Sequence, residues 1–417
     1  MMRRIVFICL LLPVSLSAAA TDPATLEAQD ISAERMKRVD DLAERYVEEG
    51  RVAGIVTLVT RHGVLVQSSA RGTLGLDNDQ PVQMDTLFRI YSMTKAITAV
   101  AALVLYEEGH FHLDDPVEKF LPLFRNIRVR KNGELRPPKT KMTMHQLFTH
   151  MSGLGYQYDY AQEPGWVDPA TSPDLDTFIE QLVQLPLQND PGEVWRYSYA
   201  SDVLGAVVQR ISGMPLAEFL ETRLFKPLGM HDTAFALPPE KRHRLASNHF
   251  WNMDNGAMQL LPDEEKSGPY RVAPYDAGGH GLISTAGDYL RFLEMLRRGG
   301  ELDGQRILGA KTVRFMTRNH LPKSITDANI GPEHDPMLGL GGGHGLGIGV
   351  YIDPVRRGVL SSAGEVDWGG VAGTIYWWDP VEDVIVLAMT QLMNSPWRLR
   401  DDMAVGVYQA LTASNEK

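Results

Sequence analysis

The stretch FRIYSMTKAITAVAALVLYEEG, residues 88–109, sets the reading of the whole chain. After Ser92 the apolar residues Ile97, Val100, Ala101, Val104 and Leu105 recur at the spacing of one helix face, and Gly109 ends the pattern. Lys95, three residues on, shares the face of Ser92. That face is otherwise apolar, which predicts a buried lysine. Two readings of Ser92 stand side by side. Serine is a favoured cap for a helix start, and the spacing recurs by chance: Ser414 to Lys417 repeats it on the tail with no apolar helix behind it. Alternatively Ser92 is a nucleophile. A hydroxyl attacks only when a base takes its proton, and a lysine serves as that base only when neutral. Bringing a lysine from about 10.4 to about 7 costs roughly 4–5 kcal/mol of differential interaction, which burial and a nearby positive centre supply. The helix start adds unpaired N–H groups and a positive dipole end, both favourable to an oxyanion.

Working outward, residues 27–49 read as a surface helix, with Val39, Leu42, Ala43, Tyr46 and Val47 at helical spacing and Gly50 as its stop. GIVTLVTR and VLVQSSAR follow as strands joined by His62-Gly63, a tight hairpin turn. At the far end GLGIGVYI, GTIYWWDP and DVIVLAMTQL read as three more strands, and residues 397–411 as a closing helix. The fold class expected is therefore α/β (α+β): an antiparallel five-stranded sheet built from both chain ends, flanked by helices, with an inserted mainly helical lobe. The implied boundaries are a discontinuous domain of residues 21–104 plus 281–417 and a helical domain of residues 105–280. Residues 156–175 and 319–343 have little periodicity and read as loops that rim a cleft.

The chain has 417 residues, 44 % apolar and 22 % charged, enough for a large core. MMRRIVFICLLLPVSLSAAA, residues 1–20, has a basic start, a short apolar run and a small-residue end, so it reads as a signal peptide and the protein as periplasmic or secreted, without a membrane anchor. The single cysteine, Cys9, lies inside it. Removal of Arg3 and Arg4 leaves 39 basic against 52 acidic residues, a net charge of −13, which repels nucleic acid. The oligomeric state is not legible.

Two further stretches carry chemistry. In WRYSYASDVLG, residues 195–205, Tyr197 stands in a loop before a helix that Ser201 or Asp202 would cap. A tyrosine near a cationic lysine has its own pKa lowered and shares the base role, the two titrating as a pair. Standing alone, such a tyrosine is more often a packed core residue. In VDWGGVAGTIYWWDP, residues 366–380, Gly369 and Gly370 let a ligand lie against backbone, and the Val371 N–H is placed to complete an oxyanion pocket; an ordinary strand bulge explains the same glycines. His110 and His112 beside Asp114 and Asp115 read as a solvated helix end, so no metal is expected. His150 and His280 are candidate triad bases, but the G-x-S-x-G elbow is missing. The glycines of 339–349 lack a nucleotide-binding pattern, and no cofactor is expected. In STAGD, residues 284–288, Thr285 reads as a helix cap.

Taken together, S-x-x-K, a later Y-x-S/N position and a later K-T-G position resemble the serine β-lactamase-like superfamily. FRIYSMTK, LDDPVEKFLP, QLFTHMSGL, PGEVWRYSYASDVLGAVV, LFKPLGMHDT and DWGGVAGTIYWWDP are similar to its family VIII carboxylesterase and CubicO-like branch, over nearly all the mature chain. The resemblance implies Ser92 as the acylated nucleophile, Lys95 and Tyr197 as proton carriers, the N–H groups of Ser92 and Val371 as oxyanion hole, and Trp368 in the substrate cleft. Trp368 stands where β-lactamases and D-alanyl-D-alanine peptidases carry the K-T-G lysine, and Tyr199 where Y-x-N enzymes carry asparagine. Both changes remove groups that hold carboxylates or amides, so an uncharged, fairly apolar small-molecule ester is expected, bound with help from Gly369, Gly370 and Tyr199. A β-lactamase, a D-amino-acid peptidase or a transacylase is the alternative within the superfamily; a non-catalytic penicillin-recognising module is the alternative outside enzymes.

Overall fold

The computed structural model describes residues 22–161, 163, 166, 172–261, 273–327 and 338–415. The expected signal segment and Cys9 lie outside them. The two β-rich ends do pair, because their central strands are mainly apolar and buried on both faces. β1 (Gly54–Arg61) lies between β2 (Val64–Gly75) and the C-terminal strand Val384–Met389, with Val56 opposite Met389 and Val59 opposite Val386. His62 and Gly63 turn the first hairpin with positive φ values of 52° and 75°, the left-handed backbone a tight two-residue loop requires.

The sheet is larger than the five strands expected. Asn78–Pro81 (β3), Gly342–His344 (β4), Gly349–Tyr351 (β5), Val366–Gly369 (β6), Ile375–Asp379 (β7) and Val384–Met389 (β8) complete an eight-stranded sheet in the order β4-β5-β6-β7-β8-β1-β2-β3. The three unexpected strands are β3, β4 and β6. β3 is a polar edge and β4 and β6 are glycine-bearing, so each lacks the β-branched alternation that marks a strand in sequence and is held by its neighbours' ladders. The run at DVIVLAMTQL ends at Met389; Leu392–Met393 instead pairs in parallel with His249–Phe250.

Each face of the sheet buries its own core. Ile55, Val59, Val66, Trp377, Val386 and Ala388 pack under the terminal helices α1 (Ala33–Glu48) and a closing helix at Leu399–Tyr408. Val56, Leu58, Tyr376, Ile385, Leu387 and Met389 face the larger core, with α2 (Thr94–Glu107) and a later helix at Ala286–Arg297. The first surface helix starts at Ala33 rather than Glu27, because Ser32 accepts the Arg35 N–H and caps it; a separate turn covers Pro23–Glu27. Thr285 caps its helix as expected, through the Asp288 N–H.

α2 differs from its sequence reading in one respect. Thr94 to Leu105 are buried all round, not along one face, since the helix runs between the sheet and the helices that follow it. Among these, α3 (Ala200–Ser212) packs directly on α2. The two loop regions contain short helices, Gln157–Tyr160 and Lys323–Asp327. Among the described residues no single helix is long and apolar enough to cross a membrane.

Candidate active site

Ser92 does not cap α2. It sits in a 3-10 turn, Tyr91–Met93, that leads into the helix, and no side chain caps either start. Tyr91 adopts φ 44°, a left-handed conformation that costs a bulky residue about 1–3 kcal/mol and must be held by its surroundings. Asn248 donates to the Tyr91 hydroxyl at 2.8 Å. The Ile90 N–H donates to Leu282 O at 3.0 Å. The turn thus aims the serine out of the helix start, into a cavity of about 780 Å³.

Two groups converge on the serine oxygen. The Tyr197 hydroxyl lies 2.6 Å from Ser92 Oγ and the Lys95 amine 3.3 Å from it. The Lys95 nitrogen also stands 4.6 Å from the centre of the Tyr197 ring. As the apolar face predicted, Lys95 is buried, only 2 % exposed. Burial pushes its amine down to about 7, against the opposing pull of the Asp202 carboxylate. Near neutral pH a large share of this amine is therefore free base, within reach of a hydroxyl proton.

α3 places Tyr197 from its N-terminal side. The expected caps Ser201 and Asp202 are not caps: Tyr199 occupies the cap position and both lie buried in the first turn. Tyr199 lines the cavity, but its ring is packed behind Tyr156, 4.5 Å between centroids, and against Phe178. Tyr197 in turn rests on His150 and Trp368, at 5.0 and 5.8 Å. His150 accepts or donates at Ser198 Oγ, 3.2 Å away, and burial holds its imidazole well below its ordinary value, so it is a neutral support for Tyr197.

β6 and the turn after it form the opposite wall. Trp368, Gly369, Gly370 and Val371 all line the cavity. A Cβ on Gly370 would fall 2.6 Å from Ile90 O, so the absent side chain is what lets this turn approach the serine turn. Val371 is 60 % exposed, and no hydrogen bond among the described residues uses its N–H. Both loop regions contribute to the rim, through Tyr156, Gln157 and Tyr158 on one side and Leu338, Gly342 and Gly343 on the other.

Several residues beside the serine had no distinctive signal. Gly279 accepts the Lys95 amine through its carbonyl at 2.6 Å, a backbone contact with no sequence signature of its own, so only its fit between α2 and α3 reveals it. Tyr156 lines the cavity from a stretch read as loop. His280, weighed only as a triad base, lines the cavity with its Nδ1 3.8 Å from Asp202 Oδ1. No cluster of three or more His, Cys, Asp or Glu suited to a metal occurs among the described residues.

The chain is similar to several known proteins. Residues 39–409 match the beta-lactamase family model. Esterase EstB of Burkholderia gladioli is 33 % identical over 403 residues, covering 90 % of this chain and 94 % of that protein. The monacolin J acid methylbutanoyltransferase of Aspergillus terreus is 28 % identical over 337 residues, 76 % of this chain and 79 % of the other. Among solved structures, EstCE1, described as a hydrolase with promiscuous acyltransferase activity, superposes with TM-score 0.76 and 26 % identity, covering 90 % of this chain and 99 % of that one. The chain belongs to the beta-lactamase family, and it is a serine hydrolase of the branch whose members are named esterases and acyltransferases.

Proposed function

We propose that the protein is an exported carboxylesterase that works through an acyl-enzyme at Ser92. The observation that carries this reading is the convergence of Tyr197 and a buried, readily deprotonated Lys95 on one serine oxygen. Ser92 Oγ attacks the ester carbonyl while its proton passes to the Lys95 and Tyr197 pair. The N–H groups of Ser92 and Val371 receive the oxyanion at the start of α2. The pair returns the proton to the departing alkoxide, leaving alcohol and an acyl-serine. A water then attacks that acyl group and gives its proton to the pair, which passes a proton to Ser92 Oγ as the ester bond breaks, releasing the acid and regenerating the serine and the base.

An uncharged, fairly apolar ester suits the wall formed by Trp368 and the aromatic rim of Tyr156 and Tyr158. Export rests on residues 1–20 and is tested by fractionating cells that express the full chain. Transfer of the acyl group to an alcohol other than water is the second reading, favoured by the names of the Aspergillus terreus relative and EstCE1.

The test is labelling with a fluorophosphonate probe and mapping of the modified peptide. Wild type is expected to carry the label on Ser92 and Ser92→Ala none; label on another residue overturns the assignment. Because the base must be neutral, kcat/KM for p-nitrophenyl esters is expected to rise through a pH of about 7 and level off above it. A chromogenic cephalosporin turned over faster than those esters would make the protein a β-lactamase instead, and a faster rate with added alcohol acceptors would make it a transacylase.

A further inference from the structure

The mechanism above leaves unused a buried charge that stands beside the site. Asp202, in the first turn of α3, has no exposed surface. It does not cap its helix. Its Oδ1 accepts the Gly279 N–H at 3.0 Å, and its Oδ2 has no hydrogen-bond partner among the described residues. A carboxylate is held in such a place at substantial cost unless an opposite charge offsets it.

His280 Nδ1 stands 3.8 Å from Oδ1, and the Lys95 amine lies on the far side of Gly279. That residue receives Asp202 on its N–H and the Lys95 amine on its carbonyl, 2.6 Å away. The fit allows no side chain there: a Cβ on Gly279 would stand 2.3 Å from Asp202 Oδ2, and one on Gly278 would stand 2.8 Å from Ser201 O. The segment is further tied to α2 by Thr98, whose hydroxyl donates to Gly278 O at 2.7 Å. Asp202, Gly279, Lys95 and Ser92 therefore form one line of contacts from α3 to the serine oxygen.

We propose that Asp202 is a positioning residue for Lys95, holding the amine against Ser92 through the two backbone groups of Gly279. This rests on the reading of Lys95 as a proton carrier. Its negative charge also opposes burial at the amine, so it keeps Lys95 from losing its proton at too low a pH. The other titratable groups facing Lys95 are Tyr197 from the loop before α3, Tyr156 from the rim, His280 beside Gly279, and the neutral His150 and His344. Among the described residues Asp202 is the one carboxylate acting on it.

The experiment is the pH profile of kcat/KM for Asp202→Asn, Asp202→Glu and wild type. Asparagine keeps an oxygen for the Gly279 N–H and removes the charge, so the acid limb is expected to move down by about one pH unit, with the alkaline plateau kept within a few-fold. Glutamate keeps the charge and displaces it, so the limb stays and the plateau falls about ten-fold or more. The shift should persist in a His280→Gln background, which separates Lys95 from His280. An unmoved limb in Asp202→Asn, a shift abolished in that background, or a fully active Asp202→Glu would each overturn the proposal; the last decides it even should Asp202→Asn fail to fold. Lys95→Ala separates the two levels. If that variant is active, the proton-carrier reading fails; if it is inactive and the limb is unmoved, only the role of Asp202 fails.

Discussion

Replacing Lys95 by methionine is expected to destroy activity and change how stability depends on pH, and the size of the change can be worked out. In the unfolded chain the amine has its ordinary value of 10.5; in the folded protein it is held at about 7. The native value is lowered, so between these limits the unfolded chain binds more protons, and wild-type stability rises with pH across that window. Each unit of separation is worth 1.36 kcal/mol. Burying this amine therefore costs the fold up to about 5 kcal/mol below neutral pH, and progressively less above it. The methionine side chain fills the same space without a proton to lose. Urea unfolding of both proteins at pH 7 and 9 is the assay. Other groups titrate alike in both, so the stability of Lys95→Met relative to wild type should fall by about 2 kcal/mol between the two pH values. A constant difference would refute the claim that Lys95 is held depressed in the folded state, and the base role would fail with it.

Three other substitutions test separate parts of the structure. Trp368→Ala is expected to lower the preference for p-nitrophenyl hexanoate over acetate about ten-fold; equal losses on both esters would remove Trp368 from the acyl-binding wall. Gly370→Ala should cut kcat/KM about a hundred-fold, since the new Cβ meets Ile90 O at 2.6 Å and backbone cannot swing aside; an unaffected rate would show that the β6–β7 turn need not approach the serine. Arg61 is wholly buried, pairs with Glu382 at 3.3 Å and donates to Gln29 O, Asp30 O and Ala413 O. Arg61→Ala removes the cation paired with that buried carboxylate, leaving it only the Ser414 hydroxyl and the Asn415 N–H among the described residues, and should cost about 3–5 kcal/mol in urea unfolding, with the rate per folded molecule unchanged; a loss below about 1 kcal/mol would mean that Glu382 finds solvent instead.

The apolar runs 54–61 and 384–389 and the serine-lysine pair of residues 92 and 95 were legible because their information is local. A strand buried on both faces is mainly apolar, its few polar side chains satisfied inside as Thr57 is by Ser69, and two residues three apart on a helix must share a side. β3, β4 and β6 were not legible, because polar or glycine-bearing segments become strands only when a neighbour offers its ladder. The same division runs through the site. Residue order identified Ser92, Lys95, Tyr197 and the 368–371 turn as candidates. Only the tertiary structure decided that Ser92 is turned away from capping, that Tyr197 comes within 2.6 Å of its oxygen, and that Asp202 and Gly279, 77 residues apart, meet beneath the lysine. Such meetings depend on how α2 and α3 pack, and a hydrogen bond to a backbone carbonyl or N–H leaves no mark on the identity of the residue that supplies it.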